Sequence, residues 1–151
     1  RIKQSEKCTL LIIDEAHLID PQTLTDLRLL ISSINEQVSL KIVLCGQENL
    51  RYILKRASHA DLLHRITLRV SLHALSKEQT RSYIDSRMTL AGGADRIFDL
   101  EAKDLIHDYT GGVPRQINNV ATACLINAAS RKINKISEAL GNETMSEFHL
   151  P

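Results

Sequence analysis

Aromatic residues are scarce in this sequence, making up 3% of its 151 residues, and tryptophan is absent. Proteins that grip single-stranded nucleic acid stack its bases on aromatic side chains, so this composition argues against such a platform. Leucine, isoleucine, valine and alanine must therefore build the core. The chain length and an apolar content of 43% suffice for one domain, or for one domain with a small satellite.

Charge imbalance and long apolar runs are also lacking. The formal net charge is +1, which gives no overall attraction to nucleic acid or to a membrane surface. No apolar run approaches the ~20 residues of a membrane-spanning helix, and no secretory signal is visible. The three cysteines, Cys8, Cys45 and Cys124, are widely spaced in apolar surroundings, and this pattern predicts reduced packing thiols rather than bridges or a metal site.

The first part of the chain alternates between strand and helix patterns. Residues 8–13 are continuously apolar, which predicts a strand buried on both faces of a parallel sheet. The further predicted elements are, in order, a helix of about four turns capped by Asp20-Pro21, a strand in KIVLCG, a helix over 48–57 and a strand in RITLRVSL. This alternation predicts an α/β fold with a parallel sheet and helices on both of its faces.

The chain from Ser76 onward shows helical patterns alone. SKEQ has the spacing of a capping box between Ser76 and Gln79 and predicts a helix that ends at about Leu90. Two further helices are predicted over about 100–110 and from Pro114 onward, where apolar residues recur at helical spacing. The predicted domain limits are 1–74 for the α/β part, 75–136 for a small all-helical part, and 137–151 for a C-terminal tail with a short helix in SEALG.

The stretch LLIIDEAH ends a predicted buried strand with two acids, Asp14 and Glu15. Ligands of open α/β sheets bind at the carboxyl ends of the strands, where these carboxylates would lie. In phosphoryl-transfer enzymes one such acid holds Mg²⁺ and a neighbouring acid activates the attacking water. The alternative is a plain helix-start pair stabilised by the helix dipole. No second ligand accompanies His17 at metal-site spacing, so a surface or helix-cap role is favoured for it.

A phosphate-binding loop of the form G-x-x-x-x-G-K-[ST], the usual partner of such acids, is absent from the sequence. None of the six glycines is followed by lysine and then by serine or threonine. In such sheets the loop precedes the acidic strand, and the chain begins at Arg1, only a few residues before that strand. We therefore expect that the loop lies upstream and that this sequence is part of a longer protein.

Four motifs in order make the chain resemble the latter part of an AAA+ ATPase of the ExeA/GspA-like group, which includes ATP-dependent helpers of DNA transposition. The motifs are LLIIDEAH, LCGQENL, LLHRITLRV and GGVPRQINN, and the resemblance runs from Leu10 to about Ile136. It implies part of a P-loop NTPase (AAA+) sheet followed by a helical lid subdomain. It also implies ATP and Mg²⁺ as cofactors.

The resemblance implies a role for five residues. LLIIDEAH matches the Walker B strand, so Asp14 would hold Mg²⁺ and Glu15 would be the catalytic acid that activates water. Gln47 matches the polar side chain that senses the γ-phosphate. Arg65 is the best match to the arginine finger, which reaches the nucleotide of a neighbouring subunit. Arg115 matches the sensor 2 arginine, which touches the nucleotide from the lid.

Alternative interpretations stay open for three of these residues. Gln47 could instead cap the helix that follows it. Arg65 lies in the locally basic stretch 51–69 and could be one of a solvated set, in which Arg56 is the second candidate for the finger. Arg115 could be a neutral surface residue, but it lies in a first helical turn, where the helix dipole disfavours a cation unless an anion compensates, and this favours a phosphate-facing role.

The function predicted from the resemblance is an ATP-hydrolysing oligomeric switch in the bacterial cytoplasm. The complete protein would self-associate into a ring or filament and hydrolyse ATP, whereas the 151 residues alone would be inactive. Within the group we favour a DNA-binding regulator or helper of transposition that acts on a transposase. The basic stretch 51–69 is compatible with contacts to DNA phosphates. Neither zinc nor membrane contact is predicted.

Three other functions are considered beside this one. An ExeA/GspA-type secretion-pathway ATPase would act on cell-envelope assembly, and a non-catalytic module would bind a partner through the helical part. A DEAH-box helicase would share the letters DEAH. Such helicases carry a Ser-Ala-Thr segment after the next strand and a second sheet domain, whereas this chain has LCGQ and helical patterns there. That departure argues against the helicase.

Overall fold

A computed structural model describes residues 9–33, 40–93 and 97–147 of the chain. The chain divides between Val70 and Ser71 into two compact units. We call the first, residues 1–70, the α/β unit and the second, residues 71–151, the helical unit. None of the helices in the described ranges is long and apolar enough to cross a membrane.

Two parallel strands and three helices form the described part of the α/β unit. Thr9 pairs with Leu40 at one end of the ladder, and Ile13 pairs with Leu44 at the other. Parallel pairing across a helical crossover confirms the predicted α/β class. Cys8, which was predicted to begin the first strand, lies outside the described residues. The elements are β1 (Thr9–Ile13), α1 (Pro21–Ser33), β2 (Leu40–Leu44), α2 (Asn49–Leu54) and α3 (Ala60–His64), with 3-10 turns at Ala16–Leu18 and Ala57–His59.

The start of α1 confirms the predicted cap. Asp20 accepts hydrogen bonds from the Thr23 hydroxyl at 2.6 Å and from the Thr23 main-chain N–H at 2.9 Å, and Pro21 takes the first helical position. These hydrogen bonds favour the charged carboxylate and hold the pKa of Asp20 below its ordinary value. The helix predicted over 48–57 is shorter than expected, because Arg56 has an extended backbone after α2 has ended at Leu54.

The burial of β1 differs from the prediction. Leu10 and Ile12 are 56% and 59% exposed, and Ile13 alone among the five β1 residues is half-buried. Ile13 and Leu44 pack against the core cluster of the unit, so the two strands contact the core at their carboxyl ends. The prediction of burial on both faces is therefore wrong for the described residues. The members of this cluster are Ala16, Leu24, Leu50, Leu54 and Leu62.

The prediction of a third strand in RITLRVSL is also wrong. Residues 66–76 have no regular secondary structure, and Leu68, Val70 and Leu72 are exposed. Alternating hydrophobicity shows only which side chains would share a face, whereas a strand also needs a neighbour for its N–H and C=O groups. None of the described strands pairs with this segment.

Four helices form the described part of the helical unit. They are α4 (Lys77–Leu90), α5 (Leu100–Thr110), α6 (Pro114–Ser130) and α7 (Glu138–Glu147), and one parallel bridge joins Phe98 to Ile136. The predicted capping box is present, since Ser76 Oγ accepts from the Gln79 N–H at 3.2 Å and Gln79 Oε1 accepts from the Ser76 N–H at 2.9 Å. The helix predicted in SEALG is longer than expected and packs against α5 and α6.

The core of the helical unit is larger than that of the α/β unit. The spacing of three and four along α6 places Ile117, Val120, Cys124 and Ala128 in it, as predicted. Burial raises the pKa of the Cys124 thiol, whereas Cys45 is exposed, so the packing role predicted for Cys45 is wrong. The core consists of Ile84, Phe98, Ala102, Ile106, Ile117, Val120, Cys124, Ala128, Ile136, Leu140 and Met145.

Gly112 joins the connection between α5 and α6 to the residue that precedes the α4 cap. Its carbonyl accepts a hydrogen bond from the Leu75 N–H at 2.9 Å. Its φ is +75°, and a Cβ at this position would lie 2.1 Å from the Leu75 carbonyl oxygen. Only glycine fits such a backbone conformation at such a close approach.

Candidate functional site

The chain makes a sharp turn directly after β1, at the two acids. Glu15 has left-handed backbone angles, φ 50° and ψ 33°, and its N–H donates to Asp14 Oδ1 at 2.8 Å. Ala16 is fully buried, and its N–H donates to the Cys45 carbonyl at 2.7 Å, which continues the ladder past β2. A non-glycine residue in this conformation costs about 1–3 kcal/mol and persists where its surroundings determine it. Burial of Ala16 and its hydrogen bond supply that constraint.

Both carboxylates face solvent at this turn. Asp14 is exposed, and the Glu15 side chain is 60% exposed. Asp14 Oδ1 is occupied by the Glu15 N–H, and the other oxygen remains available to a cation. The buried Ala16, the first residue of the 3-10 turn, therefore fixes the backbone while the two acids stay accessible, as a binding site for a phosphate-bound cation requires.

His17 departs from the prediction of a surface residue. Its side chain is 6% exposed, and its Nδ1 lies 3.3 Å from the Gln47 main-chain nitrogen, which donates to it. The same Nδ1 lies 3.4 Å from Glu15 Oε2. Because the Gln47 N–H immediately precedes the α2 cap, His17 satisfies a donor near the start of a helix, which agrees with the capping part of the prediction.

Gln47 occupies the loop between β2 and α2, beside the turn of the acids. Its carbonyl accepts from the Leu50 N–H at 3.0 Å, and its side chain is exposed. The residue at the cap position of α2 is Glu48, and no side-chain hydrogen bond caps this helix among the described residues. The alternative in which the Gln47 side chain caps α2 is therefore not observed. The side chain is free to meet a ligand at the carboxyl end of β2.

Arg65 follows the last residue of α3. Its main-chain N–H donates to the Leu62 carbonyl at 3.1 Å, and its side chain is exposed. Arg56, the second candidate for the finger, is exposed before the 3-10 turn at Ala57–His59. The guanidinium groups of Arg65 and Arg56 make no ion pair and no hydrogen bond with any other described residue. Both are therefore available to an anion outside these residues.

Arg115 lies in the helical unit, in the first turn of α6. Gly111 ends α5 in the left-handed conformation, Val113 precedes α6, and Pro114 takes its first position, so GGVPR folds as a helix end followed directly by a helix start. Arg115 is exposed and pairs with no acid in the described part of the chain. Its unpaired cation at the positive end of a helix dipole is a local mismatch that a bound anion would relieve.

The structure therefore brings together three of the five predicted site residues. Asp14, Glu15 and Gln47 are adjacent at the carboxyl ends of β1 and β2, and His17 lies between the latter two. Arg65 belongs to the same unit, and Arg115 belongs to the helical unit. His17 was not among the predicted site residues. The sequence feature that could have indicated its place in the site is its position three residues after Asp14, where the chain turns back toward β2.

A metal cluster of protein ligands is not part of this site. In the ranges that the structure describes, no group of three or more His, Cys, Asp or Glu side chains could hold a metal ion. Mg²⁺ at nucleotide sites is bound through one or two carboxylates, substrate phosphates and waters, so the Asp14 carboxylate fits that ion without such a cluster.

Comparisons with known proteins bear on the family and the fold of the chain. A family model described as an AAA domain matches residues 2–54. The chain is 35% identical over 131 residues to General secretion pathway protein A of Aeromonas hydrophila, and the match covers 86% of this chain and 24% of that protein. The chain thus spans about a quarter of this curated relative.

Solved structures of RuvB from Thermotoga maritima share the fold. The RuvB Holliday junction branch migration motor matches with a TM-score of 0.68 and 13% identity, over 95% of this chain and 54% of that one. A RuvB point mutant matches with a TM-score of 0.77 and 15% identity, over 98% of this chain and 48% of that one. At such identities the likeness concerns the fold alone.

The AAA domain match over residues 2–54 and the 35% identity to General secretion pathway protein A support an AAA+ ATPase as the class of this chain, and the RuvB structures share its fold. Within that class the chain is ExeA/GspA-like. The predicted fold class and family are thereby confirmed. The helical second unit in place of a second sheet domain also argues against the DEAH-box helicase.

Proposed function

We propose that the complete protein binds ATP with Mg²⁺ and hydrolyses it, and that this hydrolysis drives an oligomeric switch. The observation that carries the proposal is the turn after β1, which presents Asp14 and Glu15 to solvent on a backbone fixed by Ala16. A carboxylate that must bind a cation or accept a proton from water has to be accessible and held in place. Both conditions are met here.

Five side chains have roles in this proposal. Asp14 would hold Mg²⁺, which when bound neutralises charge on the phosphates. Glu15 would take a proton from the attacking water, and Gln47 would contact the terminal phosphate. Arg65 would reach the nucleotide of a neighbouring subunit, and Arg115 would contact the nucleotide from the lid. Support for the two arginines comes from their exposure and from the lack of a partner for either within the described residues.

The decisive experiment is Glu15→Gln in the complete protein. Removing the base should lower the ATP turnover number by about 10²–10⁴ and leave ATP binding intact, because the amide keeps the size of the side chain. Turnover is measured by phosphate release, and binding is measured with a fluorescent nucleotide. Glu48→Gln is the matched control, since Glu48 is an exposed acid at the α2 cap that makes no capping hydrogen bond. Equal turnover in Glu15→Gln and wild type would refute the role of Glu15.

The 151 residues contain no phosphate-binding loop motif, so we expect residues outside them to be needed for ATP binding. The chain alone should show no hydrolysis, whereas the complete gene product should. Hydrolysis by the chain alone would contradict this part of the proposal. If neither form bound ATP, the non-catalytic partner-binding module would be favoured.

For the process that the switch serves, we propose regulation of transposition through DNA binding, in the bacterial cytoplasm. Support comes from the basic stretch 51–69, in which Asp61 is the only acid and is already paired with Arg28 at 2.8 Å. Its cations are exposed, and none forms an ion pair within the described residues. They are Arg51, Lys55, Arg56, Arg65 and Arg69.

Salt-dependent DNA binding tests this role. Neutralising Arg51 and Lys55 together should weaken binding and lower the slope of log affinity against log salt by about 0.9 for each DNA phosphate that the variant no longer neutralises. Asp26→Asn, a charge change on exposed α1, is the control. The second candidate role is secretion, which the 35% identity to General secretion pathway protein A favours. Absence of DNA binding together with recovery of the protein in a cell-envelope complex would favour secretion over transposition.

A further inference from the structure

The ring of His17 is held at the turn of the acids by packing against a residue without a side chain. A Cβ on Gly46 would lie 3.2 Å from the His17 main-chain nitrogen and 3.3 Å from Nδ1. These distances are tighter than ordinary contact, so glycine at this position lets the imidazole approach the end of β2. The His17 side chain is 6% exposed, whereas the Glu15 side chain beside it is 60% exposed.

One atom of this ring has two polar neighbours. Nδ1 lies 3.3 Å from the Gln47 main-chain nitrogen and 3.4 Å from Glu15 Oε2. In a neutral imidazole each nitrogen is either a donor or an acceptor. Nδ1 can therefore accept from the Gln47 N–H or donate to the Glu15 carboxylate, but it cannot do both at the same time.

We propose that His17 is a positioning residue that couples the orientation of Glu15 to the loop carrying Gln47. When Nδ1 accepts from the Gln47 N–H, it has no proton for Glu15, and the carboxylate is free to accept a proton from water. When Nδ1–H is donated to Glu15, one lone pair of that carboxylate is occupied and the Gln47 amide is released. The inference rests on the proposed ATPase function and adds a link between the γ-phosphate-contacting loop and the base.

Two substitutions in the complete protein separate hydrogen bonding from packing. His17→Leu keeps an apolar group of comparable volume against Gly46 but removes both polar interactions. His17→Gln keeps a carbonyl acceptor for the Gln47 N–H and an amide donor for Glu15. His73→Leu, at an exposed histidine of the helical unit with no proposed role, controls for loss of a histidine elsewhere.

The expected pattern is a change in turnover without a change in binding. His17→Leu should lower kcat by about tenfold to a hundredfold, with the KM for ATP and the melting temperature nearly unchanged, because the Gln47 N–H loses its acceptor and the loop that contacts the γ-phosphate is no longer held in place. His17→Gln should recover most of kcat. If His17→Leu does not fold, Gly46→Ala serves instead: its Cβ would lie 3.1 Å from Leu50 Cδ2 and 3.3 Å from His17 Nδ1, so it should displace the ring along with Leu50 and also lower kcat.

Two kinetic results would overturn the inference. One is that His17→Leu or Gly46→Ala has the kcat of the wild type although Glu15→Gln abolishes turnover. The other is that His17→Leu and His17→Gln lower kcat equally. The first result would leave the proposed function standing. If the wild type lacks turnover, the proposed function fails, and the imidazole ¹⁵N chemical shifts of His17 still decide the link. In Glu15→Gln the His17 shifts should change toward those of an imidazole with an unprotonated Nδ1. Identical His17 shifts in Glu15→Gln and in the wild type would refute the link.

Discussion

The two units of the chain divide stability and chemistry unequally. Among the residues that the structure describes, eleven buried ones form the core cluster of the helical unit and five form that of the α/β unit, and the β1 side chains of the latter are mostly exposed. Yet four of the five predicted site residues, Asp14, Glu15, Gln47 and Arg65, belong to the α/β unit. The unit with the smaller described core therefore carries most of the exposed polar groups that a phosphate ligand requires.

Charge pairing differs between the units in the same way. Arg81 makes a two-pronged hydrogen bond to Asp104, and Arg131 makes another to Glu143, both within the helical unit. In the α/β unit the basic residues of 51–69 have no ion pair with a described residue. Cations held in pairs stabilise a fold, whereas unpaired ones are available to phosphate. The comparison therefore predicts that substituting the exposed cations of 51–69 affects activity, whereas substituting the paired charges of the helical unit affects stability.

The largest expected effect tests the α/β unit. Arg65→Ala in the complete protein should lower ATP turnover by about 10³–10⁵, the range for an arginine finger. Because such a finger acts across an interface, mixing this variant with Glu15→Gln subunits should restore part of the activity, measured by phosphate release at varied ratios. Arg87→Ala, at an exposed arginine of α4 with no proposed role, is the control. Absence of rescue at every ratio would remove Arg65 from the proposed role, and Arg56→Ala would then be tested in the same way.

The next largest effect tests the backbone of the helical unit. Gly112→Ala would place a methyl group 2.1 Å from the Leu75 carbonyl oxygen at a φ of +75° and should cost more than about 2 kcal/mol of unfolding free energy. Gly111→Ala is matched, since its φ is +58° but no atom lies within 4 Å of the added Cβ, and it should cost about 1 kcal/mol. Denaturation followed by circular dichroism measures both, and equal costs would contradict the close contact.

The smallest expected effect tests the paired charges of the helical unit. Hydrogen bonds from Arg81 favour the carboxylate of Asp104 and hold its pKa below the ordinary value of 3.8. The stabilisation is therefore complete above that value and is lost as the pH falls through the lower, folded-state pKa. Asp104→Asn should lower the melting temperature at neutral pH, and its difference from wild type should vanish in acid.

A second ion pair between the same two helices, Asp108 with Lys77, serves as the control. Asp108 makes a single contact with Lys77 at 3.0 Å between α4 and α5, so Asp108→Asn should have a smaller effect at neutral pH. Melting curves between about pH 2 and 8 measure both variants. A difference for Asp104→Asn that persisted unchanged in acid would show that the carboxylate charge is not its source.

The helical unit shows how much of this fold could be predicted from sequence. The capping box at Ser76, the bounds of α4 and α5, the start of α6 at Pro114 and the buried spacing along α6 all follow from residues within four positions of each other. Such signals are local, so the sequence contains them in full. The same holds for the Asp20 cap of α1.

The α/β unit shows where local reasoning failed. RITLRVSL alternates like a strand but pairs with none of the described strands, and the apolar β1 side chains are not covered. The sequence also predicted Asp14 and Glu15 as a site without indicating that His17 would contact both Glu15 and the loop after β2. The pairing of strands, the burial of their side chains and the contact of His17 with the loop after β2 depend on residues about thirty positions apart. The spacing within a single motif does not predict them.

The sequence by itself determined the family, the first three helices of the second unit and the order of the motifs, because each rests on residue identities and short-range spacing. Tertiary structure alone decided the left-handed turn at Glu15, the burial of His17 and the exposure of β1. The physical reason is that a parallel ladder brings two strand ends together across a helical crossover. Only that approach places the Gln47 amide and the Glu15 carboxylate around one imidazole nitrogen.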